Sequence, residues 1–454
     1  MKLSLGSSQL QLRPLLILSE LLLIAVLGFA ASQRQLMLVL FVPMGVGLVL
    51  TLLRLPSLGL VFTPLVGLII PYLGPSGLNA TMILLALLLG LWLLELMVNR
   101  HQFVSSRIVW PLFVLLIGAF ISFGVGQLPW LAFALHAPMG AQLGGFSIVV
   151  LSAGAFLLIA NQLYELLWLR RITWAFLIIG ALSIFVRSVL PTLGIHTQNL
   201  FPAVGPVFYI WLVAIAFSQA LLNKDLHRGW RLLLGGLVFV TLYILFVLKF
   251  GDKSGWLPAF AAIASIIGLR SLRAGLALIP FAVLAALYMW SGIVSTDEYS
   301  ISTRFDAWII MGQIIKISPL LGLGFANYYW YTPFFRIRGY AVSFNSHNNY
   351  VDIVAQMGLV GLVCYLWLLW EIGRLGWQLR TQVSEGFAQA YVYGALGGLV
   401  GMVVAGMFGD WVLPFFYNIG LNGFRSSMLG WFFLGGLVSL EQMLKTLNVS
   451  AVQK

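Results

Sequence analysis

The chain has 454 residues, 61% hydrophobic and 8% charged, with a net charge of +12 and a mean hydropathy of +1.00. A soluble domain carries roughly 25% charged residues, so this composition excludes one and describes a polytopic membrane protein. The single cysteine, Cys364, excludes a disulfide within the chain and a cysteine metal cluster.

Segments of about 17 to 22 apolar residues, long enough to cross a hydrocarbon core of about 30 Å, recur from end to end. The first stretch, "MKLSLGSSQLQLRPLLILSELLLIAVLGFAAS", has the early charge and Ala-rich end of a signal peptide. Arg13, and a further apolar segment soon after Arg34, favour a retained first helix. Fourteen segments follow one another, at residues 15–32, 35–53, 57–73, 79–98, 108–126, 143–160, 172–190, 200–222, 230–249, 255–270, 272–292, 350–371, 388–407 and 424–440. The pair at 255–292, joined by the tight turn "GLRSLRAG", is the least secure; a re-entrant pair is the alternative and leaves the sidedness unchanged. The expected fold is all-α: a polytopic transmembrane bundle of about 12 to 14 helices with one long periplasmic loop containing short amphipathic helices.

Loop charge orients the bundle. With the N-terminus inside, sixteen of the twenty-five Lys and Arg fall on the cytoplasmic side, in nearly every alternate loop. Both termini are then cytoplasmic, and nucleic acid is not needed to explain the charge. The other nine, Arg34, Arg187, Lys249, Lys253, Arg304, Lys316, Arg336, Arg338 and Arg425, lie on the outer side against the rule. They outnumber the outer acids Asp252, Asp297, Glu298, Asp306, Asp352 and Asp410.

The outer loops are short except for residues 293–349, which divide the chain into an N-terminal and central bundle (1–292), the loop itself, and C-terminal helices (350–454). Within the loop, "RFDAWIIMGQIIKI" places Phe305, Ile309, Met311 or Gly312 and Ile315 at helical spacing, as in an amphipathic helix lying on the outer surface. "SPLLGLGFANY" ends it with Pro319, Gly322 and Gly324.

Surplus positive charge at the outer membrane face suits an anionic ligand, and the anion at that depth is a lipid phosphate or diphosphate. Arginine binds phosphate oxygens bidentately and stays charged; ordinary headgroup snorkelling is the other use for each of these side chains. His347 sits among Ser343, Asn345, Ser346, Asn348 and Asn349. With an ordinary pKa of about 6.5, it can take a proton from a hydroxyl at neutral pH, and nearby arginines would keep it neutral. No His-x-x-x-His or His-Glu-x-x-His pattern, P-loop or dinucleotide fingerprint is present, so no metal or cofactor is expected and the energy for a reaction must come from the substrate.

The ordered segments "RFDAW", "PLLGLGFANY" and "HNNYVDIVAQMGLVGL" resemble the signature of the O-antigen ligase and O-antigen polymerase superfamily. Its members show an arginine and tryptophan a few residues apart, a Pro-Leu-Leu-Gly-x-Gly turn, and a His-Asn before a helix ending Gly-Leu-x-Gly. The resemblance is close over residues 300–362. It implies metal-independent, inverting glycosyl transfer from an undecaprenyl-diphosphate-linked glycan at the periplasmic face of the bacterial inner membrane. By position, Arg304 matches the arginine that holds the diphosphate and His347 the histidine that activates the acceptor hydroxyl. The family's further arginine falls at "DKSGW", where Lys253 stands, and Arg187 is an alternative. Arg336, Arg338 and Asn348 join these as candidates for diphosphate or glycan binding, and Tyr328 as a surface on which a sugar stacks. Membrane lipids and a glycan or lipid A core acceptor are the expected partners. Ligase, polymerase and protein O-oligosaccharyltransferase share the signature. A lipid-linked oligosaccharide flippase or secondary transporter is the rival class, although such a chain would place its charged and helix-breaking residues near mid-membrane.

Overall fold

A computed structural model describes residues 47, 49–52, 54–70, 74, 77–99, 103–195, 201, 205–249, 253–278, 280 and 298–452. The first expected helix, most of the second and most of the segment at 272–292 lie outside the described residues. Two compact units are present, Met1–Gly59 and Leu60–Lys454. The described part of the first is helical around residues 49–52, where the Thr51 hydroxyl donates to the Gly47 carbonyl at 2.8 Å.

The helices are α1 (Pro56–Ile69), α2 (Ala80–Asn99), α3 (Val109–Val125), α4 (Met139–Gln162), α5 (Leu166–Ile184), α6 (Pro206–Leu222), α7 (Arg228–Tyr243), α8 (Lys253–Arg270), α9 (Glu298–Ile315), α10 (Asn349–Leu379), α11 (Phe387–Phe408) and α12 (Gly420–Val452). A π-turn at Phe185–Val189 continues α5, and another at Ile244–Leu248 continues α7. Among the described residues there is no strand. Among the described residues, seven helices, α2, α4, α5 and α7 with their extensions, α10, α11 and α12, are long and apolar enough to cross a membrane; α1, α3 and α6 are shorter apolar helices. The chain is therefore a multi-pass membrane protein, as its hydropathy predicts.

Burial sorts the helices. Every residue from Val207 to Ala216 of α6 is buried, and α6 packs against α7, α8 and α11, while α4 packs along α12. Gly397, Gly398 and Gly401 of α11 lie against Ile266 of α8 and against Trp211 and Ile210 of α6. Small residues let helices approach in lipid, where no hydrophobic force drives them together. At the periphery, Trp110, Phe120, Leu232 and Phe239 are exposed apolar side chains, the surface expected of a protein solvated by lipid.

One end of the second unit gathers basic residues. Lys224 pairs with Glu385 at 2.6 Å, Arg380 donates to the Leu269 carbonyl at 3.1 Å, and Arg231 and Arg270 donate to the Leu221 carbonyl at 3.2 and 3.3 Å. All belong to the set that loop charge assigns to one side.

Two expectations change. The helix at "RFDAWIIMGQIIKI" forms as α9, but Ala307, Ile310, Met311 and Ile314 make its buried face, whereas Phe305 and Ile309 are exposed. Helical spacing fits both stripes, and the loop residues Leu323, Tyr328 and Tyr331 choose between them by packing on the first. The segment expected as one helix at 350–371 is broken: Gly358 in α10 has φ 69° and ψ −175°.

That break is where the fold positions its loop. The backbone N–H groups of Leu323 and Gly324 donate to the carbonyls of Ala355 and Gln356 at 2.9 and 3.0 Å. Those of Leu359 and Val360 donate to the carbonyls of Pro319 and Leu320 at 2.8 and 3.2 Å. Groups orphaned by the interruption are thus satisfied by the Pro-Leu-Leu-Gly segment, as the membrane environment demands. Gly322 and Gly358, both at positive φ, face each other; a Cβ on Gly322 would meet the Gln356 carbonyl, and one on Gly358 the Leu320 carbonyl. Close approach here admits only glycine.

Candidate active site

The polar loop 343–349 runs from the exposed Ser343 to the start of α10. The Asn348 side chain caps that helix, accepting from the N–H groups of Tyr350 at 2.9 Å and Val351 at 3.3 Å. An asparagine cap satisfies two orphan donors. The Ser346 carbonyl accepts from Trp308 Nε1 of α9 at 2.8 Å, and its hydroxyl donates to Asp352 Oδ1 at 2.7 Å. Between these anchors His347 takes a left-handed backbone, φ 48°. Histidine visits that region more readily than bulky residues do, and held strain of this kind clusters at functional sites.

Asp352 is fully buried, and its Oδ1 also accepts from the Tyr328 hydroxyl at 2.5 Å. Its Oδ2 has no hydrogen-bond partner among the described residues; Asp352, with Asn349, Gln356 and Phe325, lines a small cavity beside the broken helix. Burial, followed by the neighbouring Asp352 charge, pushes Tyr328 well above the usual tyrosine range, so it stays a donor. Asp410, from the turn after α11, accepts from the Phe415 N–H at 2.8 Å and from Asn418 at 2.6 Å, while burial raises its pKa. The same turn is tied to α10: Asn349 accepts from the Val412 N–H at 2.9 Å and donates to the Leu413 carbonyl at 2.7 Å.

His347 itself is half-buried, and its ring makes no hydrogen bond among the described residues. Burial, then the Arg304 charge, holds its pKa below the usual imidazole range. It is therefore neutral at pH 7, next to a fixed cation. Arg304, on α9, has no carboxylate partner among the described residues; the acid two residues on, Asp306, is taken by Arg338 at 2.7 Å.

That loop, α9 and the first part of α10 fall in the stretch recognised by a known family. The family model for O-antigen ligase matches residues 203–366. This stretch is similar to the O-antigen ligase family. No curated protein matches the chain. The family carries glycosyltransferase-type chemistry on lipid-linked glycans, so the coarse reading is an O-antigen ligase-like membrane glycosyltransferase.

Of the residues expected at the site, Arg304 lies where its charge reaches His347, and Trp308, one turn further along α9, is bonded to the Ser346 carbonyl. Asn348 and Arg338 are already engaged: the first caps α10 and the second is ion-paired to Asp306. Tyr328 does not offer its ring to a sugar. It is fully buried, stacked on Phe415 at 4.6 Å and hydrogen-bonded to Asp352. Sequence placed it in an aromatic run, "NYYWY", without showing which members turn inward. Arg336 is exposed, and Lys253 opens α8. Arg187 stands in the π-turn after α5, donating to the Phe201 carbonyl at 2.8 Å.

Sequence reasoning placed Asp352 and Asp410 among the outer acids but gave them no role. The usable signal was two carboxylates at the ends of apolar helices, where an acid is costly unless it is hydrogen-bonded.

Proposed function

We propose that the protein transfers a glycan from an undecaprenyl-diphosphate carrier to an acceptor hydroxyl at the periplasmic face of the inner membrane. The observation that carries this reading is His347: neutral, and held beside Arg304 on a loop clamped to two helices. His347 takes the proton of the acceptor hydroxyl as its oxygen attacks the anomeric carbon. The bond from that carbon to the diphosphate oxygen breaks, and its electron pair leaves on the diphosphate, whose growing charge Arg304 stabilises. A single displacement inverts the anomeric centre. Metal is not required in this scheme, because arginine supplies the positive charge.

Purified protein given radiolabelled undecaprenyl-diphosphate glycan and an acceptor glycan, with chelator present, should release the diphosphate carrier. His347→Ala should abolish that release. Turnover that survives His347→Ala, or that returns only with a divalent cation, sinks the scheme.

A further inference from the structure

The end of the bundle where α10 finishes, away from His347, collects guanidiniums on helix ends. Arg231 of α7 donates through Nε to the Ala220 carbonyl at 2.8 Å and through Nη2 to the Leu221 carbonyl at 3.2 Å. Arg270, the last residue of α8, reaches the same Leu221 oxygen through Nη1 at 3.3 Å. Two cations from different helices thus meet on one atom in the last turn of α6. A third, Arg380, donates to the Leu269 carbonyl at the end of α8 at 3.1 Å and lies over the Trp377 ring, 3.9 Å from its centroid.

Helix capping balances only part of this charge. A helix C-terminus carries roughly −0.5 of an elementary charge, whereas each of the two guanidiniums at α6 carries a full positive one. The acids of the same end are engaged elsewhere: Glu385 pairs with Lys224 at 2.6 Å, Glu371 lies 3.8 Å from Arg374, and Asp225 accepts from the Phe387 N–H at 3.4 Å. Among the described residues no carboxylate pairs with Arg231 or Arg270. Nη1 of Arg231, and Nε and Nη2 of Arg270, make no hydrogen bond among them either. Like charges held this close repel, and an anion against both relieves that cost.

The surroundings are those of a lipid. Trp230, Leu232 and Leu233 of α7, on either side of Arg231, are exposed, as are Leu272 and Leu276 just past Arg270. The Trp174 and Trp230 rings meet edge to face at 5.6 Å, and tryptophan is enriched where hydrocarbon meets the headgroups. That puts the guanidiniums at headgroup depth, with apolar surface running away from them along α7. Loop charge assigns this side to the cytoplasm, whose leaflet is rich in anionic lipid.

We propose that Arg231 and Arg270 hold the phosphate of an anionic phospholipid from the inner leaflet, its acyl chains lying along the exposed face of α7. Each guanidinium caps α6 with one edge and keeps further N–H groups for the phosphate oxygens. The lipid thereby pins the inner ends of α7 and α8 to α6, and its binding does not depend on glycosyl transfer.

The test is native mass spectrometry of the full chain in detergent, titrated with phosphatidylglycerol and, separately, with phosphatidylethanolamine. The unsubstituted protein should prefer phosphatidylglycerol. Arg231→Gln and Arg270→Gln should each weaken that binding about fivefold, the worth of one basic side chain near an anionic surface. Arg107→Gln, which removes an exposed arginine in the loop before α3, should bind as the unsubstituted protein does. Arg270 is exposed, so Arg270→Gln decides alone if Arg231→Gln fails to fold. Unchanged binding in Arg270→Gln, or an equal loss in Arg107→Gln, overturns the site. Equal affinity for phosphatidylethanolamine overturns the anionic requirement, and displacement of the bound lipid by inorganic phosphate overturns the lipid as occupant.

Discussion

The Tyr328 hydroxyl donates to Asp352 Oδ1 at 2.5 Å, and both residues are fully buried. The same oxygen receives the Ser346 hydroxyl at 2.7 Å, so one carboxyl group ties the segment after the Pro-Leu-Leu-Gly turn to the loop that carries His347. Through Ser346, whose hydroxyl also accepts from the Asn348 N–H at 3.1 Å, this network braces the backbone on both sides of the histidine.

Removing the Tyr328 hydroxyl should therefore be felt. Tyr328→Phe keeps the ring on Phe415 and loses one buried hydrogen bond, a cost of about 1 to 3 kcal/mol. Tyr328→Ala also loses the stacked ring and should cost about 3 to 5 kcal/mol. Unfolding in detergent measures both, and an unshifted midpoint for Tyr328→Phe would show that Asp352 does not depend on it.

The pH dependence follows from His347. Its folded pKa is held down by burial and by Arg304, whereas in the unfolded chain it titrates near about 6.5. The unfolded state therefore takes up the proton first as pH falls. The stability this group contributes is present above about 6.5 and is lost as pH drops through the lower folded value. For turnover, the acid limb of the rate profile should lie below about 6.5, with a neutral base at pH 7. Arg304→Gln should move that limb to higher pH, because the repelling charge is gone, and should lower turnover about 100-fold through loss of leaving-group stabilisation. An unmoved limb in that variant would detach Arg304 from His347.

At the helix break, Gly358→Ala forces a side chain onto a φ of 69° and against the Leu320 carbonyl. The expected cost is about 3 kcal/mol or more, read as loss of folded protein on extraction. Gly312→Ala is the contrast: within α9 a Cβ there meets nothing within 4 Å, and helix propensity should stabilise by about 0.5 to 1 kcal/mol. Equal behaviour of the two would contradict the plug geometry.

The Arg338–Asp306 pair is partly solvated, its side chains 34% and 39% exposed. A double-mutant cycle on thermal unfolding should return about 0.2 to 1 kcal/mol of coupling. Arg338→Ala should reduce turnover far less than Arg304→Ala, since its charge is already spent on Asp306. Equal losses would return Arg338 to the substrate.

Hydropathy and loop charge alone determined that this is a multi-pass helical bundle, because a hydrocarbon solvent leaves the backbone few alternatives. The described helices fall close to the apolar segments read from the chain, and the three ordered motifs around Arg304, Gly322 and His347 pointed to the family. Periodicity did not decide which face of α9 is buried, since both the stripe through Phe305 and Ile309 and the one through Ala307, Ile310 and Ile314 have helical spacing. Nor did it show that "PLLGLG" fills a gap in a helix that begins only at Asn349. The bond from the Gly324 N–H to the Gln356 carbonyl, at 3.0 Å, joins backbone groups distant in sequence and is invisible to side-chain type.

Only the tertiary structure decided which polar residues are free to act. Asn348, Arg338 and Tyr328 carry the same functional groups as any ligand-binding side chain, but a helix cap, an ion pair and a buried carboxyl have already claimed them. His347 was left within reach of the Arg304 charge. Hydrogen bonds and charges act over a few ångströms in space, so a sequence can name the groups but only the fold sets which of them meet.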